Sequence, residues 1–100
     1  MGSEKKENYT IKYFPVVVRT DIPSLDAFWR DTVLRAVTLK LSTHPETYGK
    51  PLRESLVGWR TLRVDDYRVA YEIKGKVVHV LGILHRSKVY KEIEKRLGLR

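Results

Sequence analysis

The hydrophobic pattern changes its period along the chain. Tyr9–Val18 (YTIKYFPVVV) is dense in β-branched and aromatic residues, which predicts a strand with Pro15 at an edge or bulge. From Leu25 to Leu41 the apolar positions Leu25, Phe28, Trp29, Val33, Ala36, Val37 and Leu41 recur at helical spacing. Arg30, Asp31, Arg35 and Lys40 fall on or near the wet face. Asp21 or Ser24 is the expected cap, with Pro23 in the first turn, and His44-Pro45 ends the segment. Glu46–Gly58 reads as a loop. Trp59–Val64, Tyr67–Ile73 and Val77–Leu84 then read as three strands, joined by the short turns Asp65-Asp66 and Lys74-Gly75. Ser87–Leu97 regains helical spacing through Val89, Tyr90, Ile93 and Leu97, with Gly98 as the stop.

Strand, helix, three strands and a short helix form a segregated order, the mark of an α+β domain. The expected architecture is a twisted, mostly antiparallel four-stranded sheet, the first strand joining the meander. An N-terminal helical region covers one face, and a short C-terminal helix follows. One hundred residues allow one core. The domain is expected over residues 9–100, behind a polar tail, Met1–Asn8, too poor in apolar residues to offset the entropy of ordering.

Charge sharpens this picture. The net charge is +8, and residues 51–100 carry twelve basic against six acidic side chains. A field this concentrated favours a polyanionic partner, nucleic acid or an acidic protein, although many small domains are basic for solubility alone. The absence of cysteine excludes a disulfide scaffold, a cysteine-ligated metal and a thiol nucleophile. His44, His79 and His85 have no ligand spacing, so no metal or cofactor is expected. No apolar run approaches the roughly 20 residues of a membrane span, and no signal peptide is visible. A cytoplasmic protein without a membrane partner is expected.

The hairpin at Asp65-Asp66 raises a chemical question. A two-residue turn sets Val64 opposite Tyr67 and Arg63 opposite Arg68, with Leu62, Val69 and Tyr71 turned to the core. Like charges directly opposite on two strands are destabilising. Either Asp65, Asp66 or Glu72 pairs with one arginine, or the two are offered to an anion. His85-Arg86-Ser87-Lys88-Val89-Tyr90 forms a second cluster where the last strand ends. Arg86 can fork onto a phosphate or pair with Glu92 or Glu94. Tyr90 can stack on a base, donate its hydroxyl, or pack beneath the sheet. His85 can exchange a proton near neutral pH or simply face solvent.

The stretch Gly49-Lys50-Pro51-Leu52, then LRVDDYRVAYEI at 62–73, then HRSKVY at 85–90, resembles the RelE/ParE superfamily of type II toxins. The resemblance implies a toxin held by a cognate antitoxin that covers its basic cleft with acidic residues. The amphipathic segment Lys91–Arg100 is then a candidate to be moved or covered. For a RelE-like member it implies an endoribonuclease that cuts mRNA in the ribosomal decoding site, by attack of a 2′-hydroxyl and without metal. It points to Arg68, Arg86, Tyr90 and His85 as catalytic candidates. Arg63, Arg60, Lys50, Arg53 and Lys88 become phosphate-binding candidates. Where the family often has Lys or Arg two positions before Arg63, this chain has Thr61, for which Lys50 or Arg53 is the expected substitute. The first helix of the family's helical pair is expected to shrink to Asp21–Leu25. ParE-like members use the same fold against DNA gyrase, and a degenerate member binds only its antitoxin, so fold alone does not settle activity.

Overall fold

A computed structural model describes residues 8–52 and 56–99. Most of the expected tail, residues 1–7, lies outside the described residues, and Asn8 is exposed. The strands are β1 (Thr10–Tyr13), β2 (Lys50–Pro51), β3 (Trp59–Val64), β4 (Tyr67–Lys74) and β5 (Val77–His85). They form one five-stranded sheet in the order β1-β5-β4-β3-β2. The expectation of four strands is corrected by β2, two residues pairing Lys50 with Thr61 and Pro51 with Arg60. The sheet is mixed, because β1 runs parallel to β5 while the other pairs are antiparallel.

The predicted meander forms with the predicted register. Arg63 stands opposite Arg68, Val64 opposite Tyr67, and Thr61 opposite Ala70. Asp65 adopts a φ of 57° in the turn, and Gly75 a φ of 61° in the next one. A short Asp or Gly meets that left-handed demand at little cost. Between β4 and β5 the register shifts: Ala70 faces Gly82 but Tyr71 faces Val80, leaving Leu81 as a bulge.

The N-terminal half departs from expectation. The chain is helical from 15 to 24 (α1), with Val17–Asp21 wound as π-helix, so Val16–Val18 is not strand. Pro15 opens this helix, where its missing N–H costs nothing and its fixed φ is already helical. Burial of Val17 then outweighs the β preference of the valine run. The first helix is therefore not reduced to Asp21–Leu25. The second helix, α2, runs over residues 27–41. Its cap is neither Asp21 nor Ser24 but Asp26, whose carboxylate accepts the Trp29 N–H at 3.0 Å. Val33, Val37 and Leu41 are fully buried, whereas Phe28, expected in the stripe, is 66% exposed. A single turn, α3 (Pro45–Tyr48), replaces part of the expected loop, and α4 (Val89–Arg96) closes the fold.

Each face of the sheet has its own core. On one, Val17, Leu25, Val33, Val37 and Leu41 of the α1–α2 region pack on Leu62, Val69, Tyr71, Val78, Val80 and Ile83. On the other, Val89 and Ile93 of α4 meet Leu52, Leu56, Trp59, Ala70 and Leu81. Gly82 permits this second contact, since a Cβ there would lie 2.8 Å from Ile93 Cδ1. The C-terminal segment is thus a core element at Val89 and Ile93, not an appendage lying over the domain.

One buried ion pair ties the two sides together. β1 has four residues and β5 nine, so β5 loses its parallel neighbour after Val80. There the Asp21 carboxylate accepts the Ile83 N–H at 3.0 Å, and Arg96 Nη1 donates to the Leu81 carbonyl at 2.9 Å. Arg96 also forks onto Asp21 at 2.7 and 2.8 Å and reaches Glu92 at 3.1 Å. The Asp21 bond, first of all, holds the Arg96 guanidinium above its usual range, so it stays charged. Removing one partner of such a pair strands the other's charge, at a cost of about 3–5 kcal/mol. Asp21→Leu and Arg96→Met should each lose about that much in urea unfolding. The double variant should lose less than the sum by about 1 kcal/mol or more, because no charge is left stranded. Strictly additive losses would contradict this account of the pair.

Candidate functional site

Strand parity sorts the candidate residues. Paired strand residues share a face and successive residues alternate. Lys50, Thr61, Arg63 and Arg68 therefore lie on one face, and Val64, Tyr67 and His85 on the other. The first four, with Tyr48, line an open cleft of about 240 Å³. Among the described residues, the lining brings three cations together and includes no carboxylate. The Arg63 and Lys50 side chains have no ion-pair or hydrogen-bond partner among the described residues. Arg68 spends one nitrogen on its own turn: Nη1 donates to the carbonyls of Asp65 at 2.8 Å and Tyr67 at 2.9 Å. That anchorage fixes the guanidinium and leaves Nε and Nη2 for a ligand. Neither Asp65, Asp66 nor Glu72 forms an ion pair with Arg63 or Arg68 among the described residues.

The other candidates are dispersed. Arg60 lies opposite Tyr71, on the far face from Arg63. Its Nη2 donates to the carbonyls of Glu46 at 2.8 Å and Gly49 at 2.6 Å, a structural use of the cation. Arg86 Nε sits 3.4 Å from Asp66 Oδ1, both side chains well exposed, at the hairpin end outside the cleft lining. Glu92, one of its expected partners, pairs with Arg96 instead. His85 lies edge-on to Tyr67, centroids 6.2 Å apart, on the face opposite Arg68. Its Nδ1 accepts the Ser87 N–H at 3.2 Å and lies 2.8 Å from Ser87 Oγ, which assigns the ring proton of the neutral form to Nε2. Tyr90 packs against the second core, which lies on the Arg68 side of the sheet. Lys88 is exposed just before α4. Arg53 lies outside the described residues.

The residue that sequence reasoning overlooked is Tyr48. It lay within a turn signal, Tyr48-Gly49-Lys50-Pro51, and an aromatic two positions from a cation was the clue. The turn that carries it is strapped to the sheet. The buried Tyr71 hydroxyl donates to the Pro45 carbonyl at 2.6 Å, and Arg60 grips the carbonyls of Glu46 and Gly49. Burial pushes the Tyr71 hydroxyl above the usual tyrosine range, which keeps it a donor. The Tyr9 hydroxyl donates to Glu46 at 2.7 Å and, as the leading cause, holds that exposed carboxyl below its usual range. Gly49 is obligatory in this strap, since a Cβ there would stand 1.9 Å from the Tyr71 hydroxyl.

Such a cleft is suited to a phosphodiester. Guanidinium groups grip phosphoryl oxygens and stabilise charge that develops on them. The cost is mutual repulsion, which gives a direct check. Arg63→Gln should raise stability in chemical unfolding at low salt by about 0.2–1 kcal/mol. The gain should vanish near 1 M salt, where screening is nearly complete over the pair distance. A loss of stability at low salt would mean that Arg63 has a structural partner instead.

Comparison with known proteins gives the family and the fold. Residues 23–90 match the family described as the ParE toxin of the type II toxin-antitoxin system parDE. Toxin RelG of Mycobacterium tuberculosis (strain ATCC 25618 / H37Rv) is 32% identical over 85 residues, 83% of this chain and 97% of that protein. The crystal structure of the toxin-antitoxin complex RelBE2 of M. tuberculosis matches with a TM-score of 0.75 at 30% identity, over 84% of this chain and 98% of that one. The chromosomal ParDE system of P. aeruginosa matches with a TM-score of 0.57 at 18% identity, over 77% of this chain and 95% of that one, a likeness of fold.

Proposed function

The chain belongs to the RelE/ParE superfamily of type II toxin–antitoxin toxins, and from that premise we propose that it is a ribosome-dependent mRNA endoribonuclease. The observation that carries this reading is the cleft that gathers Lys50, Arg63 and Arg68 with no acidic side chain among the described residues of its lining. In the proposed reaction a ribose 2′-hydroxyl attacks the adjacent phosphorus and the P–O5′ bond breaks. The products are a 2′,3′-cyclic phosphate and a 5′-hydroxyl end. The three cations hold the non-bridging oxygens and stabilise their growing charge. Arg68 is the central group, because its turn bonds pre-set its orientation. The route needs a 2′-hydroxyl, so RNA and not DNA is the substrate.

Proton transfer falls to hydroxyls on the cleft side. Tyr48 and Thr61 line the cleft, and Tyr90 stands on the same side of the sheet. His85 stands on the other face, so its role is at the rim, where Arg86 and Lys88 also offer charge to flanking phosphates. The partner is a cognate antitoxin, in keeping with the toxin-antitoxin complex RelBE2 as a relative, and its acidic side chains would complement the cations of the cleft. The position of His85 favours one second reading, a catalytically degenerate toxin homologue that only binds its antitoxin.

A cell-free bacterial translation reaction with primer extension on the message tests this. The wild type should create new message ends only when ribosomes are present. Arg68→Ala should lower cleavage by at least about 100-fold, the scale of losing one oriented charge-stabilising donor. Arg63→Ala and Lys50→Ala should act in the same direction. Intact message with normal translation would overturn the nuclease reading. Inhibition of DNA supercoiling by the same preparation would then identify a gyrase-directed member.

A further inference from the structure

Tyr48 is the feature of the cleft that charge capture does not use. The residue is 47% exposed although it belongs to a helical turn. The ring lines the same cleft as Lys50, Arg63 and Arg68. Its edge-on neighbour is His44, at 6.2 Å between centroids and 72° between planes. Lys40 Nζ lies over the ring, 5.4 Å from its centroid. The mount is rigid, because Tyr71 holds the Pro45 carbonyl and Arg60 holds those of Glu46 and Gly49. An exposed aromatic kept out of either core, on a turn fixed by three side-chain hydrogen bonds, is pre-organised to meet a flat ligand.

We infer that Tyr48 is a nucleobase-stacking wall, seating one base of single-stranded RNA beside the phosphate held by Lys50, Arg63 and Arg68. This rests on the RNA-directed reading above and adds the subsite that orients the substrate. A nucleotide offers an anion and a flat ring a few ångströms apart, and the cleft offers cations and a flat ring in one lining. Bases stack on aromatic side chains with little regard to sequence, since every base has a π face. Tyr48 therefore sets where the strand lies without dictating which base it carries.

The test is binding by fluorescence anisotropy, with the isolated full chain. The probes are a short 2′-O-methyl oligouridylate, which the proposed attack cannot cut, and an abasic oligomer of the same length. The wild type should bind the oligouridylate more tightly than the abasic strand. Tyr48→Ala should weaken the oligouridylate by about 10- to 100-fold and leave the abasic strand unchanged. Tyr48→Phe should bind as the wild type does. Arg68→Ala should weaken both probes alike. Equal losses on both probes, or none, with Tyr48→Ala would overturn the stacking wall while leaving the RNA-directed reading intact. A wild type that binds neither probe would overturn the stacking wall, while the ribosome-dependent reading is decided by the primer-extension assay. The exposed position of Tyr48 means that an unchanged melting temperature of the Ala variant can confirm that it folds.

Discussion

The fold depends on how β5 is completed where β1 stops. A strand edge inside a domain leaves N–H and C=O groups that must find partners. β5 outruns β1, and two side chains take the place of the missing backbone: Asp21 accepts from Ile83, and Arg96 donates to Leu81. Asp21 comes from the helix over one face and Arg96 from the helix over the other. Their mutual fork locks both covers to the same strand. The pair is buried, with side-chain exposures of 2% and 10%, so its energy is not lost to solvent screening. It also sits at the bulge that lets β5 run on to His85 and the Arg86 turn.

What the sequence disclosed, and what it hid, follows from the range of the forces involved. The β3–β5 meander is local: short turns, alternating apolar positions and a two-residue hairpin fix its register, and Arg63 meets Arg68 as parity demands. The helix at 15–24 is set by tertiary burial of Val17 and Asp21, which a β-branched run of valines conceals. β2 is two residues long and exists only because β3 offers it an edge, so no periodicity could announce it. Asp21 resembled a helix cap, because its partner is 75 residues away in sequence. Phe28 matched the apolar spacing of α2 yet lies outside the core, exposed and edge-on to Trp29, which packs against that core in its place.

The same reasoning explains why the candidate site was only half legible. Parity in the hairpin was readable, and it gathers Arg63 and Arg68 with Lys50 in one cleft. The motif at 85–90 reads as one cluster in sequence but is split in space. His85 faces the α1–α2 side, Arg86 turns to Asp66, and Tyr90 packs on the α4 side. A strand end followed by a turn makes neighbours in sequence diverge in direction. Arg60 shows the converse: a cation in a basic stretch that serves as a bracket for the turn bearing Tyr48. Like charge kept together on a rigid sheet, without an acidic neighbour among the described residues of the cleft, is a destabilising arrangement that folding alone does not require.

The central claim is that this cluster cuts RNA through the neighbouring 2′-hydroxyl. It is tested most directly on programmed ribosomes, with a message carrying a single 2′-deoxy nucleotide on the 5′ side of the cut phosphate. The all-ribose message should be cut and end in a 2′,3′-cyclic phosphate, while the substituted message stays intact at that site. Cleavage of the 2′-deoxy message at the same site and rate would contradict the account.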